Sequence, residues 1–176
     1  MLGDTFRGAE LSSFAYAHGD RLGFEIRNDH LRSLILHGGP GANLQKLVLL
    51  SCNRLTTEVL DECLRQLPHL QHLALSFIVV DELAHNFVQA FPPALSVAKL
   101  QITHARYAKP FLDEERMLCE ALEEQVLRRH PPLQLVCASF APWLLEEDDR
   151  ELRWIGISES IGFSLTIGAW EPDELV

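Results

Sequence analysis

Apolar residues in this chain recur in a short, fixed frame. Leu44-Gln45-Lys46-Leu47-Val48-Leu49 places leucines at the first, fourth and sixth positions, and Leu70-Gln71-His72-Leu73-Ala74-Leu75 repeats the frame 26 positions later. Val97-Ala98-Lys99-Leu100-Gln101-Ile102 follows after 27 more. Looser copies flank these three: Leu31 to Leu36 before them, then His130 to Leu135 and Leu152 to Ile157 after them. A single residue separates the closing apolar pair in each copy, which is the period of a strand with one buried face.

Between the copies the spacing becomes helical. Val59, Leu60, Cys63, Leu64 and Leu67 form one apolar stripe, with Thr56 or Thr57 available as a cap and Pro68 as the stop. Leu83, Phe87, Val88 and Phe91 repeat the arrangement before Pro92-Pro93. Met117, Leu118, Ala121, Leu122, Val126 and Leu127 do so before Pro131-Pro132. Each unit therefore reads strand, turn, helix, proline, next strand. This predicts an α/β fold, a leucine-rich-repeat solenoid: a short horseshoe with parallel strands on its concave face and helices on its convex face. The repeats are expected over residues 31–160 in about five to six irregular units.

Residues 1–30 are expected to form an N-terminal cap or irregular segment, built from the mixed stretch Gly8 to His18 and a candidate strand from Leu22 to Ile26. Residues 161–176 are expected to supply a capping strand, Phe163 to Ile167 between Gly162 and Gly168, followed by a solvated acidic tail from Glu171 to Val176.

The chain of 176 residues is long enough for one domain with a real core. Its net charge of −10 argues against a general electrostatic grip on nucleic acid or on an anionic membrane. With neither a long apolar span nor a leader-like start, the expected location is intracellular, in cytoplasm or nucleus. Cys52, Cys63, Cys119 and Cys137 are scattered without a paired motif, which fits reduced thiols used as small apolar groups.

The stretch from Leu44 to Leu70 resembles the cysteine-containing class of leucine-rich repeat, with Cys52 at the cysteine position and Leu55-Thr56 opening the helical segment. That class is common in F-box proteins, so the resemblance implies a protein partner and suggests ubiquitin-ligase components and a substrate-holding role. No F-box module is legible in the sequence.

Three groups of residues invite a chemical reading. His37-Gly38-Gly39-Pro40-Gly41 matches the oxyanion loop of proline-releasing peptidases of the α/β-hydrolase fold, in which backbone N–H groups stabilise a developing oxyanion. A serine elbow and a later acid and histidine should follow it. The nearest serine string, Gly156 to Ser160, lacks the final glycine, and the last histidine is His130. A glycine–proline turn between closely spaced units accounts for the loop better, leaving a small or degenerate hydrolase as the alternative function. His69 and His72, with His85 nearby, have the wrong spacing for metal ligands on a strand. The runs Asp113 to Glu115, Glu120 to Glu124 and Glu146 to Glu151 fit solvated helix faces. No catalytic residue, metal or cofactor is therefore expected. A degenerate repeat fragment without an independent role is the third reading.

What remains is the surface of the strands. If Leu44, Leu47 and Leu49 point inward, Lys46, Val48 and Leu50 point outward, and the same rule exposes His72, Ala74 and Ser76, then Lys99, Gln101 and Thr103. The partner-binding set expected from this rule is Lys46, Val48, His72, Ser76, Lys99, Gln101 and Thr103. Its basic ladder, Lys46, His72 and Lys99, would suit an acidic peptide. Ser33, Ile35, His37 and Gln134 are expected to extend the face.

Overall fold

The structure is a computed structural model that describes residues 10–17, 25–79, 86–104 and 112–170. Its elements run β1 (Ser13–Ala17), α1 (Asn28–Ile35), β2 (Lys46–Cys52), α2 (Thr57–Leu64), β3 (His72–Val79), a 3₁₀ turn (Phe87–Ala90), β4 (Val97–His104), α3 (Leu112–Leu122), a π turn (Glu123–Leu127), β5 (Leu135–Ser139), α4 (Pro142–Glu146), a 3₁₀ turn (Glu147–Asp149), α5 (Arg150–Ile161) and β6 (Ser164–Ile167). The six strands form one sheet in chain order, β1 to β6, and every neighbouring pair is parallel. The fold is therefore α/β. None of the described helices is long and apolar enough to cross a membrane.

Register is fixed at the entrance to each strand. The carbonyl of Ser12 accepts the N–H groups of both Gln45 and Lys46, and the carbonyl of Gln45 accepts those of Gln71 and His72. Gln71 does the same for Ser96 and Val97, Ser96 for Gln134 and Leu135, and Gln134 takes the N–H of Ser164. One residue earlier, Leu44, Leu70, Leu95 and Leu133 form a column of buried apolar side chains. These ties set the phase of the units: Leu73 lies opposite Leu47 and Ala98, and Leu75 opposite Leu49 and Leu100.

The third copy therefore begins at Leu95 rather than at Val97. Leu95, Ala98 and Leu100 occupy the frame, and Val97 falls on the other side of the sheet, opposite His72. Two outer copies are not strands at all. Leu31 to Ile35 lies in α1, and Leu152 to Ile157 lies in α5. In α1 the buried residues are Leu31, Leu34 and Ile35, whose spacing is one helical face. In α5 the inward stripe is Trp154, Ile157 and Ser158, so Leu152 and Ile155 point to solvent.

The expected strand from Leu22 to Ile26 falls largely outside the described residues; Ile26 itself is buried in the segment leading into α1. The N-terminal strand is instead Ser13–Ala17, paired along its length with β2. The expected C-terminal strand is present as β6, paired with β5, whereas Glu171 to Val176 and Leu83 lie outside the described residues. Met117, expected on an inward stripe, is 62% exposed.

One continuous core fills the space between the sheet and the helices. Leu47, Leu49, Leu73, Leu75, Phe77, Leu100, Ile102 and Val136 meet Leu34, Leu60, Leu64, Phe87, Leu122 and Trp154 there. All four cysteines are buried and free, and burial pushes the Cys52, Cys63 and Cys119 thiols up to about 12. At neutral pH these thiols stay protonated and pack as small apolar groups.

Polar ties join successive helical segments. The Asn28 side chain takes the N–H of Thr56 at 3.0 Å and donates to its hydroxyl at 3.3 Å, and Arg32 pairs with Glu62 at 2.8 Å, so α1 is clamped beside α2. Two glutamates in the expected solvated runs are structural. Glu115 is buried and accepts the N–H of Ala141 at 3.1 Å. Glu123, in the π turn, accepts from Arg128, Arg153 and the indole of Trp154 at 3.0 Å each.

Burial pushes the Glu123 carboxyl up, but hydrogen bonds from Arg128, Arg153 and Trp154 outweigh it and hold the carboxyl below its ordinary range. A depressed folded-state pKa stabilises the fold above the ordinary glutamate value of about 4.3, and that contribution disappears as pH falls through the folded value. Denaturant titration of Glu123→Gln beside the wild type is therefore expected to show a stability deficit at pH 7 that narrows by pH 3. A deficit of equal size at both pH values would contradict a role for the charge.

Candidate functional site: the far face of the sheet

Strand residues alternate between the core and the opposite face, here called the far face. Its apolar centre is Val48, Leu50 and Ala74, packed against Trp170, and none of the described helices contributes to that patch. Cross-strand pairing sorts the far face into rows. The first holds Ser13, Lys46, His72, Val97, Leu135 and Ser164; the second holds Ala15, Val48, Ala74, Lys99, Cys137 and Thr166. Ser76, Gln101 and Ser139 pair further along, and Thr103 lies opposite Ile78.

The seven residues expected on this face are all on strands and share the expected alternation, but the ladder is broken. Lys46 and His72 are neighbours, whereas Lys99 stands opposite Ala74, one row away, because the third unit is phased from Leu95. The exposures also differ from expectation. Thr103 is exposed; Lys46, His72, Lys99 and Gln101 are half-buried; Val48 and Ser76 are buried. Trp170 accounts for part of this, since its ring packs on the apolar patch and the Lys99 ammonium lies 5.6 Å from the ring centroid.

A bulge shapes the exit of β2. Ser51 adopts a left-handed backbone with φ 55°, and pairing resumes with Cys52 opposite Phe77. The bulge turns Cys52 back to the core side while Leu50 stays on the far face. Of the expected extensions, Ser33 and Ile35 belong to α1, His37 follows that helix, and Gln134 is exposed just before β5.

The glycine-rich loop after α1 is a tightly closed turn. His37 and Gly38 both have positive φ, at 55° and 74°, and reverse the chain. The Gly39 N–H donates to Leu36 O at 3.0 Å and the Gly41 N–H to Leu34 O at 2.8 Å, while Pro40 O accepts the Leu11 N–H at 2.8 Å. Both N–H groups are thus committed to backbone carbonyls, rather than aimed at a site where an oxyanion could sit. Ser158 is no elbow serine either; it is buried in α5 with its hydroxyl donating to Ile155 O at 2.8 Å. Among the described residues no group of three or more His, Cys, Asp or Glu side chains converges as metal ligands would.

The residue that sequence reasoning missed is Trp170. Its position just past β6 gave no periodic signal, and only the tertiary fold brings it over β2 and β3. Comparison with known protein families, with characterised proteins and with solved structures finds no match to this chain. The described residues thus define an α/β protein with one six-stranded parallel sheet, helices against one face and a partly apolar, partly basic far face.

Proposed function

We propose that this chain is a protein–protein interaction module, a short leucine-rich-repeat solenoid that captures its partner on the far face of the sheet. The observation that carries this reading is the division of the strand residues. One face is consumed by the core, while the other gathers Val48, Leu50 and Ala74, packed under Trp170, beside Lys46 and Lys99, an apolar centre flanked by cations. Apolar contact supplies affinity in such a surface and charge supplies selectivity and steering, which suits an acidic, carboxylate-bearing protein segment. The carbonyl ladder at the strand entrances supports the repeat, because the same pair of hydrogen bonds recurs from one unit to the next. The resemblance of the Leu44 to Leu70 unit to the cysteine-containing repeats makes substrates and subunits of a ubiquitin ligase the first partner class to test.

The Lys46→Glu/Lys99→Glu double variant tests the reading. Both side chains are half-buried at the far face, outside the main core, so the variant is expected to fold and unfold as the wild type does within about 1 kcal/mol. Affinity capture from native cell extract with the tagged chain should then recover a discrete partner that the double variant loses at least about tenfold. Equal recovery by both forms would contradict capture by this face.

A further inference from the structure

We infer that Val48, Leu50, Ala74 and Lys99 form a seat for an aromatic side chain carried beside carboxylates, and that Trp170 occupies this seat in cis until a partner peptide displaces it. The inference rests on the far face being the binding surface.

The seat has both parts that an indole recognises. Val48, Leu50 and Ala74 supply an apolar floor, and the Lys99 ammonium stands 5.6 Å from the ring centroid. Cation and floor come from adjacent strands in a fixed register, Lys99 opposite Ala74 and Ala74 opposite Val48. The occupant is delivered by a turn. The Gly168 N–H donates to Ala138 O at 3.0 Å, and its φ of 110° lets the chain leave β6 toward the sheet, with Trp170 two residues later.

Two observations favour a replaceable occupant over a permanent plug. The buried indole N–H of Trp170 has no hydrogen-bond acceptor among the described residues, so the cis seating carries an uncompensated desolvation cost. A core residue in the same chain contrasts with it: the Trp154 indole donates to Glu123 at 3.0 Å. The sequence after Trp170, Glu171-Pro172-Asp173-Glu174, also states the partner's chemistry: an aromatic residue followed by carboxylates, matched to a surface with Lys46 and Lys99. A segment tethered this closely acts at an effective concentration on the order of millimolar. It should weaken a trans peptide that binds the empty seat at about 0.1 mM by roughly tenfold, because only the vacant fraction is competent.

The test uses an N-acetylated synthetic peptide of residues 168–176, titrated by calorimetry into the wild-type chain, Trp170→Ala and Trp170→Ala/Lys99→Glu, with circular dichroism verifying each fold. Binding to Trp170→Ala about tenfold tighter than to wild type, and lost with Lys99→Glu, is the expected result. Equal affinity for wild type and Trp170→Ala would overturn cis occupancy. No binding to Trp170→Ala would overturn the seat, while persistent partner capture that depends on Lys46 would leave the interaction reading standing. If Trp170→Ala does not fold, fluorine NMR of the wild-type chain labelled with 5-fluorotryptophan decides. The Trp170 resonance should move to the solvent-exposed position as unlabelled peptide saturates, and a resonance that stays put would overturn displacement.

Discussion

Trp154→Ala is expected to lower stability by about 3 to 5 kcal/mol, the range for emptying a large aromatic site in a packed core. Trp154 is fully buried, stands edge-on to Phe140 with ring centroids 6.2 Å apart, and donates its indole N–H to Glu123. Alanine would leave a cavity beneath α5 and withdraw one of the donors that hold Glu123 ionised. Trp154→Phe removes the donor while keeping most of the packing, so a smaller loss of about 1 to 2 kcal/mol is expected. Equilibrium urea unfolding reads both values. A Trp154→Ala loss below about 1 kcal/mol would mean that α5 is not packed on the core as described.

Gly39→Ala should be nearly as damaging, for a purely steric reason. A Cβ at position 39 would lie 2.3 Å from Leu34 O, 2.6 Å from Leu34 C and 2.8 Å from Ser33 O. These are backbone atoms at the end of α1 and cannot swing aside, so the loop would have to open. That opening would break the Gly41 N–H to Leu34 O and Leu11 N–H to Pro40 O hydrogen bonds. A loss of at least about 3 kcal/mol is expected, at the upper end for overpacking. Gly156→Ala is the internal control: a Cβ there meets nothing within 4 Å, and alanine on an exposed helix should stabilise by about 0.5 to 1 kcal/mol. Thermal or urea unfolding that ranks the two variants in the same direction would contradict the loop geometry.

Most of the central architecture was legible in the sequence, and the exceptions have physical causes. The frames at Leu44 and Leu70 stand out because leucine fills all three inward positions, and β2 and β3 follow them directly. The next frame is harder to see because Ala98 fills a position held elsewhere by leucine. A template seeking large side chains slides two residues to Val97, and that slip also displaced Lys99 by one row in the expected ladder. The flanking copies deceive for another reason. An apolar spacing of three followed by two also occurs by chance within helices, and in α1 the neighbouring pair Leu34-Ile35 completes a helical face. β1 went unseen because Ser13 to Ala17 carries only Phe14 and Tyr16 toward the core.

The far face was legible as a set of alternating positions but not as a surface. Alternation assigns a side to each strand residue; it does not say what else arrives there. The burial of Val48 and Ala74 owes part to Trp170, and the seating of Lys99 against an aromatic ring depends on it, nearly a hundred positions or more from β2 and β3 in sequence. Buried Glu115 was hidden similarly, since its partner is the backbone of Ala141, beyond the next strand.

The most direct test of capture by the far face is site-specific photo-crosslinking in native extract, with a photoreactive amino acid placed at Thr103 on β4 or at Gln125 in the π turn. Both positions are exposed, and they lie on the far-face and helical sides respectively. A discrete protein crosslinked from Thr103 and not from Gln125 is the predicted result. Crosslinking of that protein only from Gln125, or equally from both positions, would contradict partner capture on the far face of the sheet.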